Sequence, residues 1–383
     1  MGAKVFNRKK KSRLAPTCHL CGAGGLRRLG KVGRGPSTTS DGRVWPHASV
    51  IWLCPDCRTL QKNPDAVTRM RIRRLYATYK PHYLSSGVEQ VVFAKGRAPE
   101  ARTARAFRLM RQHLPGKGRV LDFGTGNGAA LKSFLQRFPR WTGDAYDVSL
   151  HKQREVLKIP RVRAFFSSAE DLPENRYEAV ILWHTLEHIF HPRAVLDAIR
   201  TLLRPGGLLL LQVPDLLRNP FDLGIYDHVS HFTRRSLLHL MAGWGWKLEI
   251  DGMDWFHNTL TFGFSPSGQS GRLPSEAKPK RPFQELGKLL SRFKKKKQTP
   301  YTIFGTAQGA LLVYAQGGRK PLAFLDEDPN RWGKYLLGVP VLSPSHRPAG
   351  SILFPFSRAK AGEIRRRIFS AAKKADSQKT GTI

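Results

Sequence analysis

The chain has 383 residues, 40% of them hydrophobic, which is enough for two or three domains with buried cores. No run approaches the ~18 consecutive apolar residues of a membrane-spanning helix. The amino terminus turns basic at once without an apolar signal core, so a cytoplasmic protein is expected, held at most peripherally at the inner membrane surface. Lys and Arg number 65 against 28 Asp and Glu, a net charge of +37. That excess favours polyanionic partners such as nucleic acid, anionic lipid or polyanionic glycan. The basic residues are nevertheless spread along the chain, and host-wide compositional bias accounts for them equally well.

Residues 1–15 form a basic tail, including Arg8-Lys9-Lys10-Lys11, with the composition of a disordered segment. Residues 16–62 hold all four cysteines as Cys18-His19-Leu20-Cys21 and Cys54-Pro55-Asp56-Cys57. Each Cys-x-x-Cys puts two thiolates on one tight turn, and two such turns complete a tetrahedral four-sulfur shell. Without a secretion signal this pattern favours a structural zinc site over disulfides. A redox dithiol and a rubredoxin-like iron are its rivals. Four sulfur ligands leave no open position, so the metal is expected to have no catalytic role and His19 to be a bystander.

Residues 63–115 read as a helical connector, with helices from about Pro64 to Tyr79 and from Pro99 to His113. Residues 116–264 repeat a strand–helix pattern. Its strands are expected at Arg119–Phe123, Thr142–Tyr146, Ala164–Phe166, Ala179–Trp183 and Gly207–Val213, with helices at Gly128–Phe138 and Ala194–Leu203. Such alternation predicts an α/β fold with a doubly wound, mostly parallel sheet. Residues 265–299 have a linker's composition. Inside them Phe283, Leu286, Leu290 and Phe293 share one helical face among Lys and Arg. That makes a cationic amphipathic helix, suited to an anionic membrane or polyanion, or to docking on the neighbouring domain. Residues 300–372 hold a small Rossmann-like unit: Thr302–Phe304, the Gly305–Gly309 turn, Leu322–Leu325 ending in Asp326, Ser351–Phe354 and a basic helix from Arg358 to Ala372. Residues 373–383 are a tail.

The strongest signal is Val120-Leu121-Asp122-Phe123-Gly124-Thr125-Gly126-Asn127-Gly128. An apolar strand ends in an acid, and three glycines then let the backbone pass close to a ligand. Asp147 closes the next strand, 25 residues after Asp122, where a carboxylate can hold two ribose hydroxyls. Ser168-Ala169-Glu170-Asp171-Leu172 follows the third strand, Trp183-His184-Thr185-Leu186-Glu187-His188 the fourth, and Leu203-Arg204-Pro205-Gly206-Gly207 leads into the fifth. In this order the motifs resemble a class I S-adenosylmethionine methyltransferase with its seven-stranded sheet. A nicotinamide-binding domain is disfavoured because its fingerprint lacks the Pro-Gly-Gly turn. The resemblance implies S-adenosylmethionine as cofactor, held by Asp122, Gly124, Thr125, Gly126, Gly128, Asp147, Ser168, Ala169, Glu170 and His184.

The layout also resembles a narrower group, the three-part nucleotide-sugar C-methyltransferases, which join a zinc-binding domain, a methyltransferase domain and a Rossmann-like domain. The pieces that carry this are Leu53–Cys57 with Leu60-Gln61, Tyr83-Leu84-Ser85-Ser86, Leu186-Glu187-His188, Asp227-His228, Ile303–Gly309, Phe324–Pro329 and Gly333-Lys334-Tyr335. The resemblance implies deprotonation of a keto-sugar beside its carbonyl, followed by methylation of the enolate. His188 and His228 would stand near the base position, with Asp227 orienting a histidine and Tyr83 lining the pocket. The group's Tyr-His-Glu-His falls on Ile225-Tyr226-Asp227-His228, which departs from it and leaves O-methylation of a glycan or related acceptor open. The competing readings are an RNA methyltransferase with a zinc module and a non-catalytic scaffold that binds cofactor or polyanion.

Overall fold

The computed structural model describes residues 16–63, 65–79, 91–92, 100–268, 280–346 and 348–379. The basic tail 1–15, Tyr83 and the last four residues lie outside them.

The amino-terminal unit is built on short strands: β1 (Arg27–Lys31), β2 (Ser37–Thr38), β3 (Val44–Trp45), β4 (Val50–Leu53) and β5 (Leu60–Gln61). Helix α1 (Ala66–Tyr76) starts at Asp65, whose carboxylate accepts the Thr68 N–H at 2.7 Å. The pair β6 (Val91–Val92) and β7 (Glu100–Ala101) then leads into α2 (Arg102–Met110).

The central sheet contains β8 (Gly118–Phe123), β9 (Trp141–Tyr146), β10 (Val162–Phe166), β11 (Tyr177–Trp183), β12 (Leu203–Pro214), β14 (Trp246–Asp251) and β15 (Thr259–Pro266). Its order is β10-β9-β8-β11-β12-β15-β14, with β15 antiparallel to both of its neighbours, β12 and β14, and the other pairings parallel. Val180–Leu182 and Leu209–Leu211 are buried on both faces, which is why these strands read as unbroken apolar runs. Four helices pack against this sheet: α3 (Ala129–Arg137), α4 (Gln153–Leu157), α5 (Pro192–Leu202) and α6 (Arg234–Gly243). β12 starts at Leu203, four residues earlier than the expected Gly207. Leu203 pairs with Tyr177 while Leu208 pairs with Ala179, so Arg204–Gly207 bulge out between two paired stretches. Strand order reverses between β8 and β11, and the crevice outside their carboxyl ends is where such a sheet binds ligands.

A strand from the central chain segment, β13 (Ser230–His231), joins the amino-terminal sheet in the order β1-β4-β5-β13. The segment expected to be a linker contains α7 (Lys280–Lys296), a helix of 17 residues. Leu286, Leu290 and Phe293 are buried in a core shared with Val32, Ile51, Leu53 and Leu60 of the first unit and Phe221 and Leu223 of the second. This corrects the membrane-surface expectation for that helix: its apolar stripe is already covered by protein, and only its cationic side faces outward. The third unit has α8 (Gln308–Ala315), α9 (Arg358–Lys379) and a five-stranded sheet. Its strands are β16 (Tyr301–Phe304), β17 (Phe324–Leu325), β18 (Tyr335–Leu336), β19 (Val339–Leu342) and β20 (Ser351–Leu353), in the order β18-β19-β17-β16-β20. Among the described residues, no helix is long and apolar enough to cross a membrane.

Candidate active site

At the end of β8 the Asp122 carboxyl is buried and accepts the Thr125 hydroxyl at 2.7 Å. Burial pushes its pKa up to about 7. The N–H groups of Gly124 and Thr125 donate to the Tyr146 carbonyl at 2.8 and 3.0 Å, drawing the loop onto the tip of β9. Gly124 has φ +84°, and a Cβ there would lie 2.5 Å from the Thr185 hydroxyl. At Gly126, with φ +56°, a Cβ would meet nothing within 4 Å, so the backbone faces open space. Asp147 accepts the Gly126 N–H at 2.8 Å and the Ser149 N–H at 2.9 Å, one on each oxygen. Each oxygen keeps acceptor capacity for a further hydroxyl.

The sequence-derived cofactor residues divide here. Asp122, Gly124, Thr125, Gly126, Asp147, Ala169 and His184 line one cavity of about 1490 Å³. Gly128 is not on its wall; it caps α3 at φ +76°, where a Cβ would lie 2.6 Å from Ile159. Ser168 and Glu170 are also off the wall, the Ser168 hydroxyl accepting the Glu170 N–H of a short turn. His184 takes φ +49°. Its ring lies between Glu187 Oε1 at 3.2 Å and Gln212 Oε1 at 3.0 Å, and Gln212 donates to the Thr261 hydroxyl.

Farther along the same cavity stand His188 and His228, ring edge to ring face with centroids 4.6 Å apart. His228 Nδ1 lies 2.6 Å from Asp222 Oδ1, and His231 Nδ1 lies 2.5 Å from Asp222 Oδ2. Burial opposes ionisation of Asp222, but the two imidazoles outweigh it and hold its carboxyl well below the usual range. For His228 the order is the same with the opposite sign. Burial disfavours the imidazolium, and Asp222 overrides it, so its pKa is raised. Since a carboxylate only accepts, His228 donates through Nδ1 and keeps Nε2 as its lone-pair nitrogen. His231 is pushed down to about 4 by burial and by the charge of Lys62, and so is neutral.

Asp227, expected to orient a histidine, does so for a different ring than its chain neighbour. The carboxylate beside His228 is that of Asp222. Asp227 lies 3.4 Å from His188 Nδ1, and its own oxygens accept the Ser40 N–H and hydroxyl. His188 Nδ1 is also 2.8 Å from the Tyr76 hydroxyl. Tyr76 and Tyr79, on and just after α1, thus bring phenols to the cavity wall, whereas Tyr83 lies outside the described residues. Glu187 is fully buried, and its Oε2 has no hydrogen-bond partner. Tyr226 turns away to stack near Trp45 and His47.

The third unit closes the cavity. Gly305–Gly309, Asp326 and Arg331 line it, and the Gln308 amide donates to the Ser40 carbonyl at 2.9 Å. Asp222, Ser40, Tyr76 and Tyr79 were not singled out in the sequence. Only Asp222 had a readable clue, an acid set in an apolar stretch six residues before a histidine.

The four cysteines converge. Cys18 and Cys57 sulfurs are 3.7 Å apart, Cys21 and Cys54 3.6 Å, and all four lie within 4.8 Å of one another. Those gaps are far longer than a disulfide's ~2.05 Å. They match the edge of about 3.8 Å that a tetrahedron with ~2.3 Å metal–sulfur bonds would have. The Gln61 amide donates to Cys18 Sγ at 3.0 Å, while His19 Nε2 turns away to the Ser230 hydroxyl at 2.8 Å.

Residues 93–249 match the family model of a methyltransferase domain. The chain is 28% identical over 137 residues to the C-methyltransferase NovU of Streptomyces niveus, covering 34% of this chain and 33% of that protein. It is 30% identical over 148 residues to the ubiquinone biosynthesis O-methyltransferase of Aeromonas salmonicida, covering 32% of this chain and 60% of that protein. It therefore spans less than two thirds of the length of these curated relatives. The solved structure of Burkholderia thailandensis 1,6-didemethyltoxoflavin-N1-methyltransferase aligns with a TM-score of 0.40 at 17% identity, covering 56% of this chain and 98% of that one. With the glycine turn, the acid at the next strand tip and the sheet order already in place, residues 93–249 are a methyltransferase domain of the class I, S-adenosylmethionine-dependent kind.

Proposed function

We propose that the chain transfers the methyl group of S-adenosylmethionine to a sugar-derived acceptor, a nucleotide-linked sugar or glycan precursor, at a carbon or oxygen that His228 deprotonates. The observation that carries this reading is the single cavity whose walls come from the glycine turn of β8, the Asp222–His228 pair and the carboxy-terminal unit. An acceptor with two parts fits it, one part at the histidines and a handle reaching the Gly305–Gly309 turn.

The residues present suit the cofactor. The uncrowded backbone at Gly126 lets a ligand approach, and Asp147 offers oxygens to ribose hydroxyls. S-adenosylmethionine supplies a methyl group already activated on a sulfonium, so the protein's work is alignment and proton removal. Asp222 holds His228 by Nδ1 and leaves Nε2 to take the acceptor's proton. The imidazolium so formed is stabilised where it arises, against the ionised Asp222. His188, held by Tyr76 and Asp227, and the free oxygen of Glu187 can bind the acceptor's other oxygens. The relatives' names include both C- and O-methyltransferases, and one positioned base serves either chemistry.

We assign Cys18, Cys21, Cys54 and Cys57 to a structural zinc ion, on the donor set and its tetrahedral edges. Native mass spectrometry should find one zinc per folded chain; folded, metal-free protein would remove the assignment.

The activity test uses the full chain with methyl-labelled S-adenosylmethionine and separate pools of nucleotide sugars and RNA. Label is expected in the nucleotide sugars, falling about 10²–10⁴-fold with His228→Gln. Label in RNA alone, or in neither pool, overturns the reading.

A further inference from the structure

Lys62 is a buried lysine, 2% exposed, with no part in the chemistry described so far. It follows β5, which the cysteine module fixes on one side through the Gln61–Cys18 bond and which pairs with β13 on the other. From there it reaches the loop carrying His228 three times. Its backbone N–H donates to the Val229 carbonyl at 2.9 Å, and its Nζ donates to the carbonyls of Ile225, at 2.7 Å, and His228. The same Nζ lies 3.4 Å from His231 Nε2. Burying an ammonium is costly, and a methionine would fill similar space without that penalty. The residue's cost is matched by what its three donors organise.

The hydrogen-bond logic runs in one direction. Asp222, as a carboxylate, only accepts, so His231 carries its proton on Nδ1 and meets the Lys62 Nζ with its Nε2 lone pair. That Nδ1–H donates to one oxygen of Asp222, leaving the other oxygen for His228 Nδ1. Burial pulls the Lys62 pKa down to about 7 against the opposing charges of Asp222 and Asp227, and its charged form in turn disfavours protonation of His231. Around His228 stand Asp222, Asp227 and Glu187 as acids, and His188 and His231 as imidazoles.

We propose that Lys62 is a positioning residue for the methyl transfer: it clamps the loop that bears His228 and holds the His231 ring against Asp222, the carboxylate that leaves Nε2 of His228 free to act as base. The cysteine module is thereby wired into the acid–base machinery rather than merely attached to it. This rests on the reading of His228 as base, and the test separates the two.

The first arm needs no acceptor. In the full zinc-containing chain labelled with ¹⁵N-histidine, NMR should show both His231 and His228 protonated on Nδ1. In Lys62→Met, His231 should keep its Nδ1 proton on Asp222 while its titration midpoint rises from about 4 toward the ordinary imidazole value. The second arm is methyl transfer. Lys62→Met should lower kcat about 10–100-fold, the range for a residue one step behind a reacting group, with the KM for S-adenosylmethionine unchanged. Combined with Asp222→Asn it should cost little more than the worse single change, because both act on one chain of contacts. Should Lys62→Met fail to fold, His231→Gln removes the middle link alone and should show the same kcat loss and the same lack of additivity. An unchanged His231 titration midpoint in Lys62→Met, or full additivity with Asp222→Asn, overturns the proposal. Full methyl transfer by His228→Gln would instead remove the base assignment and leave the NMR result standing.

Discussion

At the tip of β8, Gly124 adopts φ +84° and donates to the carbonyl that ends β9; at the tip of β16, Gly305 adopts φ +88° and donates to the carbonyl that ends β17. A threonine follows each glycine, and an aspartate, Asp147 or Asp326, follows each second strand. Even the next contact repeats, the aspartate N–H donating to Phe166 in one unit and to Leu342 in the other. The two crevices part at the carboxylate. In the first, Thr125 spends its hydroxyl on Asp122, so Asp147 meets only two backbone N–H groups. In the second, Ile303 stands where Asp122 would, and Thr306 turns its hydroxyl onto Asp326 instead, joined there by Arg331. One buried acid in the first strand thus decides whether the second carboxylate faces the cavity free or neutralised. Topology alone therefore does not fix which ligand such a crevice accepts.

The largest effect that can break this comparison is at the two aspartates. Asp147→Ala removes an acceptor from both ribose hydroxyls and should weaken S-adenosylmethionine binding at least about tenfold by calorimetry, given about 1.5–3 kcal/mol for a hydrogen bond to a charged group. Asp326→Ala should leave that affinity within about twofold, because its carboxylate is already engaged by Thr306 and Arg331. Equal losses in the two variants would erase the distinction.

A smaller effect sharpens it. Burial raises Asp122 to about 7 from the ordinary 3.8, so the folded state holds this proton more tightly than the unfolded chain. Its contribution to stability is complete below about pH 4 and is lost as pH rises toward about 7. In Asp122→Asn, thermal melts of the cofactor-free protein should therefore fall less with pH across that window than in the unaltered chain. Parallel profiles would show that Asp122 keeps an ordinary titration and that burial does not govern it.

The sequence made the first crevice readable because parallel strands buried on both faces leave apolar runs, and the glycines and acids stand at their ends. β14 and β15 were not assigned, although Trp246–Asp251 alternates inward and outward residues as an edge strand with one wet face should. The pair of His228 and its carboxylate was half legible. His228 stood out, but its carboxylate comes from a short 3₁₀ turn at Pro220–Gly224, placed by tertiary packing and marked by no motif. Lys62 looked like the last residue of a cysteine module, and only the pairing of β5 with β13 carries it beneath the histidines. For the cationic helix α7 the face was legible but the partner stayed open between an anionic surface and the neighbouring domain, since a hydrophobic stripe does not say whether lipid or protein covers it.

The most direct measurement is a crystal structure of the full chain with S-adenosylhomocysteine. The nucleoside should lie on Gly124–Gly126 with its ribose hydroxyls on Asp147 and its sulfur toward His228. A nucleoside seated instead at Gly305 and Asp326, or a first crevice left empty at saturating ligand, would contradict the account.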